Sequence, residues 1–481
     1  MSNKQNRYAI QVPGAKSAGV LEVTSPFDGK PVATVETIDA EGAELALTTA
    51  NNLFEDRDAW LPAHERAAIL ERTAVLMREK FDHLVDVAVL EGGKPLADTR
   101  VEVERAIDGI KNCVECIRSE HGSEIPMRLN PASANRVAFT HREPIGVVVA
   151  VSAFNHPLNL IVHQIGPAIA TGCPVIVKPA EDTPASCFEL VKIVREAGLP
   201  DGWCQGVAVA DVSVAEKLVT DPRAAFFSFI GSAKIGWMLR SKLAPGTRCA
   251  LEHGGAAPVI VGQDADLETS LPLLAKGGFY HAGQVCVSVQ RVFAHSTVVE
   301  DVANGLAGLA KKLKVGDPML AETQVGPLIR HRETDRVSEW VEEAVSGGAK
   351  LLSGGEKLSD SLYAPTVLLD PAGEAAVSTQ EIFGPVICVY GYDDVDEAIQ
   401  RANALPVAFQ AAVMARDIDT AMYAYKRLAA SAVMVNDHTA FRVDWMPFAG
   451  LRQSGYGVGG IPHTYRDMQI EKMLVIRSAA L

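Results

Sequence analysis

The stretch that decides the fold is residues 145–180, IGVVVAVSAFNHPLNLIVHQIGPAIATGCPVIVKPA. From Pro144 to Val177 the chain has no Asp, Glu, Lys or Arg, a run longer than a bilayer span requires. Asn155, His156, Pro157, Asn159, His163, Pro167 and Pro174 interrupt it, however. That punctuation divides the run into a buried strand, a turn, a helix and a second strand, the reading expected of a parallel sheet inside a soluble protein. The alternation continues outward. PVIVKPA, GVAVA and AFFSFIG are short apolar runs separated by the helical patterns TPASCFELVKIVREAG and SAKIGWMLRSKLA.

A second alternating set, PVIVG, DLETSLPLLAKGGFYHAG, SVQRVFAH, PVICVY and DDVDEAIQRANAL, predicts a second α/β unit. Residues from about Glu41 to His121 carry helical spacing. Strand-like patches at 122–142 and 468–481 fit neither core, and such exposed strands suit sheet addition between subunits. The fold class expected is therefore α/β, with two parallel-sheet domains and a small β oligomerisation arm. The boundaries expected are 1–121 with 143–251 for the first domain, 252–448 for the second, and 122–142 with 468–481 for the arm.

The length of 481 residues fits two to four domains at about 150 residues each. Apolar residues make up 48%, enough to bury a folded core, and 45 Lys+Arg against 59 Asp+Glu leave a formal charge of −14. An acidic surface repels phosphate backbones and anionic lipids, so neither nucleic acid nor a membrane is an expected partner. Eight cysteines are scattered without a short-period framework, and the first residues lack an apolar signal region. Reduced thiols and a cytoplasmic location follow as expectations.

Two motifs mislead. GYGVGG at 455–460 matches a dinucleotide fingerprint, but the residues after it leave no room for the helix, strand and acidic residue that the mechanism requires. Cys113-x-x-Cys116 lies in a helical stretch with no second pair, so no metal site is expected. Cys286 in GQVC is different, because it stands where a helical stretch meets the strand-like SVQRVFAH, a junction able to expose a thiol. Glu252, in LEHGG, is a carboxylate at a strand end beside glycines and suits a general base. Asn155, in AFNHP, offers an amide donor for a developing oxyanion.

AFNHP, KPAEDTP, FIGSAKIG, LEHGG, GQVC, EIFGP and PFAGLRQSG occur in that order across nearly the whole chain. This set resembles the ordered motifs of the NAD(P)-dependent aldehyde dehydrogenase superfamily. The resemblance implies a Rossmann-like NAD domain and a catalytic thiol domain in a homodimer or homotetramer. It implies Cys286 as the nucleophile of a thiohemiacetal and thioester route, Glu252 as base, and Asn155 with the Cys286 N–H as oxyanion donors. It also implies Lys178 and Glu181 at the adenine ribose, Gly231 and Ser232 at the pyrophosphate, and Glu381 and Phe383 at the nicotinamide ribose and ring. A carboxylate at Glu181 accepts from ribose hydroxyls and repels a 2′-phosphate, so NAD is expected over NADP.

The sequence departs from the family twice. His253 replaces the usual apolar residue beside the base, and Val458, Gly459 and Gly460 supply no carboxylate where many relatives carry a glutamate. For the substrate, a helix read as starting at His156 places His156, Asn159 and His163 on one face. In relatives that helix lines the tunnel, so a short polar aldehyde is implied. Arg442 on the tunnel loop and Arg105 on the flanking helix favour an anionic tail, as in a semialdehyde acid or a sulfonated or phosphonated aldehyde. The alternatives are a lactaldehyde- or glycolaldehyde-type hydroxyaldehyde and a CoA-acylating relative, the last disfavoured by the retained base.

Overall fold

The charge-free stretch folds as strand Val147–Val151, helix Asn159–Thr171 and strand Val175–Lys178. The computed structural model describes residues 6–209 and 211–481. Every residue of the helix is buried, which is why its sequence has no polar stripe turned to water. The helix begins at Asn159, three residues later than the periodicity predicts, and His156 lies in the turn before it. The GVAVA run is displaced too: the strand there is Cys204–Gly206, and Ala210 falls outside the described residues.

Six strands form the first sheet, in the order Gly455–Tyr456, Arg248–Glu252, Ala224–Ile230, Val147–Val151, Val175–Lys178, Cys204–Gly206. All neighbours are parallel except the edge strand Gly455–Tyr456. Chain order reverses between Val147–Val151 and Ala224–Ile230, and such a switch point opens a crevice at the carboxyl ends of the strands. GYGVGG contributes the antiparallel edge strand and a turn, and helix Ile461–Asp467 then places Ile461, Tyr465 and Met468 in the first core. The region after 448, left between the expected domains, thus packs on the first layer.

The second sheet has seven strands, ordered Lys350–Ser353, Thr366–Leu369, Val386–Tyr392, Val289–His295, Ala257–Val261, Gln410–Met414, Ala432–Val435, with only the first antiparallel. A third sheet pairs Arg136–Pro144 with Gln469–Arg477 along their length, and Glu124–Ile125 flanks it. Phe139, Met473, Leu474, Val475 and Ile476 are exposed on this arm.

One buried ion pair fixes the turn at the switch point. Lys94 Nζ and the Glu102 carboxylate are in direct contact, with side chains 1% and 0% exposed. Glu102 also accepts from the Leu158 and Asn159 N–H groups at 3.0 Å, satisfying the first turn of the helix, while Lys94 donates to the Asn155 carbonyl at 3.2 Å. Removing one partner strands a buried charge. Glu102→Ala should therefore lower the unfolding free energy by about 3–5 kcal/mol in urea titrations; a loss below about 1 kcal/mol would assign the pair the weight of an exposed one.

Candidate active site

The carboxyl ends of the first sheet and the amino ends of the second share one cavity of about 1200 Å3. Every site residue expected from the sequence lines it except His163. Asn155, Lys178, Gly231 and Glu252 stand at the ends of first-sheet strands, whereas Cys286 and Glu381 precede the second-sheet strands Val289–His295 and Val386–Tyr392.

Cys286 is held by its loop. The Gln284 side chain donates to the His281 and Pro327 carbonyls at 3.3 and 3.2 Å and accepts from the Ile329 N–H at 2.9 Å. One amide N–H of Asn155 donates to the Gln284 carbonyl at 2.9 Å, which leaves the second N–H for a ligand. Burial pushes the Cys286 thiol up to about 12; Arg442 pulls it down, and Glu381 and Glu252 push it further up. Burial also raises the Glu252 carboxyl, and Arg442 opposes that shift.

The cofactor half of the cleft has unsatisfied groups suited to a dinucleotide. Ser232 precedes helix Ala233–Arg240 without using its hydroxyl as a cap, so the helix start is open to an anion beside Gly231. Lys178 Nζ donates to the Pro179 carbonyl at 3.2 Å and lies 4.0 Å from Glu181, whose side chain is 47% exposed. Glu381, pushed up to about 8 by burial, accepts among the described residues only from the Gly255 N–H, at 3.1 Å, so most of its acceptor capacity faces the cavity. A side chain on Gly254 would overlap that carboxylate. Phe383 packs edge-on against Phe154 with ring centroids 5.9 Å apart. NAD fits this set of donors and acceptors.

His253 now has a structural account. Its Nδ1 lies 2.9 Å from the Gly231 carbonyl, which can only accept, so Nδ1 carries the proton and fixes the turn at the helix start. The ring contacts Phe229 and Trp237 and fills space that exists only because residue 236 is glycine.

The substrate half corrects the expected polar face. Asn159 Nδ2 and His163 Nε2 donate to Asp444 at 3.0 and 2.8 Å, and Arg105 makes a two-pronged contact with the same carboxylate at 3.1 and 2.7 Å. His163 lies behind the cavity wall and Arg105 is already paired. His156, in the turn, instead meets the Tyr280 hydroxyl at 3.3 Å. Burying three polar side chains requires partners, and one carboxylate supplies two of them. Arg442, unlike Arg105, has no carboxylate within ion-pair distance among the described residues. Its guanidinium covers the Phe448 ring at 3.6 Å, its Nη2 donates to His163 Nδ1 at 3.4 Å, and its Nε has no partner among the described residues. Gln284, Asp444, Lys94 and Glu102 are absent from the sequence-derived site; their signal is polarity inside otherwise buried elements.

Residues 13–474 match the model of the aldehyde dehydrogenase family. The chain is 35% identical over 472 residues to a 3-sulfolactaldehyde dehydrogenase of Priestia aryabhattai, covering 98% of each. It is 34% identical over 460 residues to a lactaldehyde dehydrogenase of Methanocaldococcus jannaschii, covering 95% of this chain and 97% of the other. Among solved structures it is similar to aldehyde dehydrogenase 21 of Physcomitrella patens in complex with the reaction product succinate, at 33% identity and a TM-score of 0.94, covering 99% of both. The chain belongs to the aldehyde dehydrogenase family. It is an oxidoreductase that acts on the aldehyde group with NAD(P) as cofactor.

With the thiol held near 12, the free enzyme carries little thiolate at neutral pH. Because only the thiolate is alkylated, iodoacetamide labelling of Cys286 should rise about tenfold per pH unit from roughly pH 7 to 9. A rate that levels off by about pH 9.5, read by intact-protein mass spectrometry, would mean a thiol near its unperturbed value.

Proposed function

We propose that the substrate is a short aldehyde with an anionic tail, a semialdehyde acid or a sulfonated or phosphonated aldehyde. The observation that carries this reading is Arg442, a half-buried guanidinium on the cavity wall with no carboxylate partner among the described residues. Arg105 and Asp444 cancel each other, whereas Arg442 presents to the cavity a guanidinium that no ion pair holds among the described residues. The names of the relatives agree: 3-sulfolactaldehyde and succinate are both anions at neutral pH. A hydroxyaldehyde is the second reading, favoured by the His156 and Tyr280 hydrogen-bonding groups and by the lactaldehyde dehydrogenase relative.

Cys286 gives its thiol proton to Glu252, which passes it on to solvent, and the sulfur forms a bond to the aldehyde carbon. The carbonyl oxygen takes the electron pair and is received by the free N–H of Asn155 and by the Cys286 N–H, donors that gain most as charge develops. When bound, NAD accepts the hydride that leaves this carbon, and a thioester remains on Cys286. Glu252 takes a proton from water, the water oxygen bonds to the acyl carbon, and the carbon–sulfur bond breaks to release the acid. A base retained in the cavity favours water over CoA as acyl acceptor. In this reading Lys178 and Glu181 bind the adenine ribose, Gly231 and Ser232 the pyrophosphate, and Glu381 and Phe383 the nicotinamide ribose and ring. NAD then rests on residues 1–121 and 143–251, with 252–448 supplying the thiol. The exposed apolar arm at 122–142 and 468–481 adds to a second copy, as a homodimer or homotetramer requires. Eight unpaired cysteines suit the cytoplasm.

A charge-assisted contact is worth about 1.5–3 kcal/mol, or roughly ten- to a hundredfold. Arg442→Ala should lower kcat/KM for succinate semialdehyde by that factor and leave kcat/KM for propanal nearly unchanged. An equal loss for both would make Arg442 structural, and a wild-type preference for lactaldehyde over every anionic aldehyde would select the second reading. Glu181→Ser should raise the use of NADP relative to NAD, measured as the ratio of kcat/KM for the two cofactors; an unchanged ratio would remove Glu181 from the ribose.

A further inference from the structure

The carboxylate of Glu252 accepts no hydrogen bond among the described residues, although it lines the cavity. Its position is set by shape and by one charge. Oε1 rests against the Cα of Gly459, where a Cβ would overlap it. Gly459 is itself fixed, because its N–H donates to the Phe448 carbonyl at 2.7 Å and its carbonyl accepts from the Phe448 N–H at 3.0 Å. Over the Phe448 ring lies the Arg442 guanidinium, at 3.6 Å. Gly459 and Phe448 therefore make a seat for the base, and the Arg442 charge acts on it there.

We propose that Gly459 is a positioning residue that seats Glu252 beside Arg442, and that an anionic substrate tail, by engaging Arg442, releases the base for thioester hydrolysis. This inference rests on the reading of Arg442 as the anion site. A carboxylate without hydrogen bonds costs little to move, and the guanidinium is the charge that holds it. Once a sulfonate or carboxylate lies on Arg442, the attraction on Glu252 weakens while the acyl group is still attached to Cys286. A neutral aldehyde leaves the seat intact. Anionic substrates thus gain twice: in binding, through direct contact, and in deacylation, through the freed base.

The experiment measures the lifetime of the acyl-enzyme, trapped by rapid acid quench of the NAD-saturated enzyme and counted by intact-protein mass spectrometry. In the wild type the acyl group from succinate semialdehyde should leave about ten times faster than that from propanal, a difference of about 1.4 kcal/mol. Gly459→Ala, whose methyl group fills the seat, should speed propanal deacylation to within about twofold of the anionic substrate and leave the ratio of KM values unchanged. Arg442→Gln should equalise the two lifetimes and abolish the KM difference as well. Equal lifetimes in the wild type with a preserved KM advantage would overturn the release step alone. Loss of the KM advantage itself would remove the anion reading beneath it. Slowing of both substrates in equal proportion by Gly459→Ala would make the glycine a packing residue only.

Discussion

The buried carboxylate of Asp444 is the constraint on which the geometry of the cleft depends. It is 2% exposed and accepts from Arg105, Asn159 and His163, which come from two different helices. A carboxylate taken out of water costs several kcal/mol unless its lone pairs are filled, and here four donor contacts fill them. The bonds to His163 and the nearby Arg105 charge hold the carboxyl well below the usual carboxylate range despite burial. Because Asp444 is two residues from Arg442, the same anchor fixes the loop that presents the free cation. His163 completes the link: Nε2–H donates to Asp444 and the opposite nitrogen accepts from Arg442.

A second layer of polar anchors aims the reacting groups. Lys94 and Glu102 hold the turn at 155–159, and Gln284 holds the thiol loop from both sides. Asn155 joins the two by its bond to the Gln284 carbonyl. None of these groups is required to react, yet each places a donor or a nucleophile within the tolerance that catalysis demands. Local order thus comes from buried hydrogen bonds, while the two parallel sheets supply the apolar mass that excludes water around them.

The two sheets were legible in the sequence because fully buried strands leave unbroken apolar runs, and those runs alternate with helical spacing. The chemistry at Cys286, Glu252 and Asn155 was legible through residue type at element ends and through the ordered motifs. What did not show was which polar residues pair. Asp444 and His163 are separated by 281 positions, and nothing periodic connects them. Helical periodicity places Asn159 and His163 on one face, but it does not say whether that face meets a ligand or a carboxylate. It also starts the helix too early, since Pro157 belongs to the turn and His156 with it. The role of His253 needed the gap at Gly236, which is visible only once strand and helix are packed together.

The charges around the thiol explain why one arginine matters to every partner in the cleft. Arg105 and Asp444 sum to zero, and Glu381, pushed up to about 8, is largely neutral at pH 7. What remains is Arg442 against Glu252, again zero, with the thiol protonated beside them. Bringing an anionic tail into such a site makes the balance negative, and a low-dielectric cavity resists an uncompensated charge. The least costly response is for Glu252 to bind its proton more strongly, since the cation that opposed its protonation now faces the tail. Greater proton affinity is what a carboxylate needs to act as a base toward water. The electrostatics of the pocket therefore couple recognition of the distant end of the substrate to the reactivity of the group that ends the cycle.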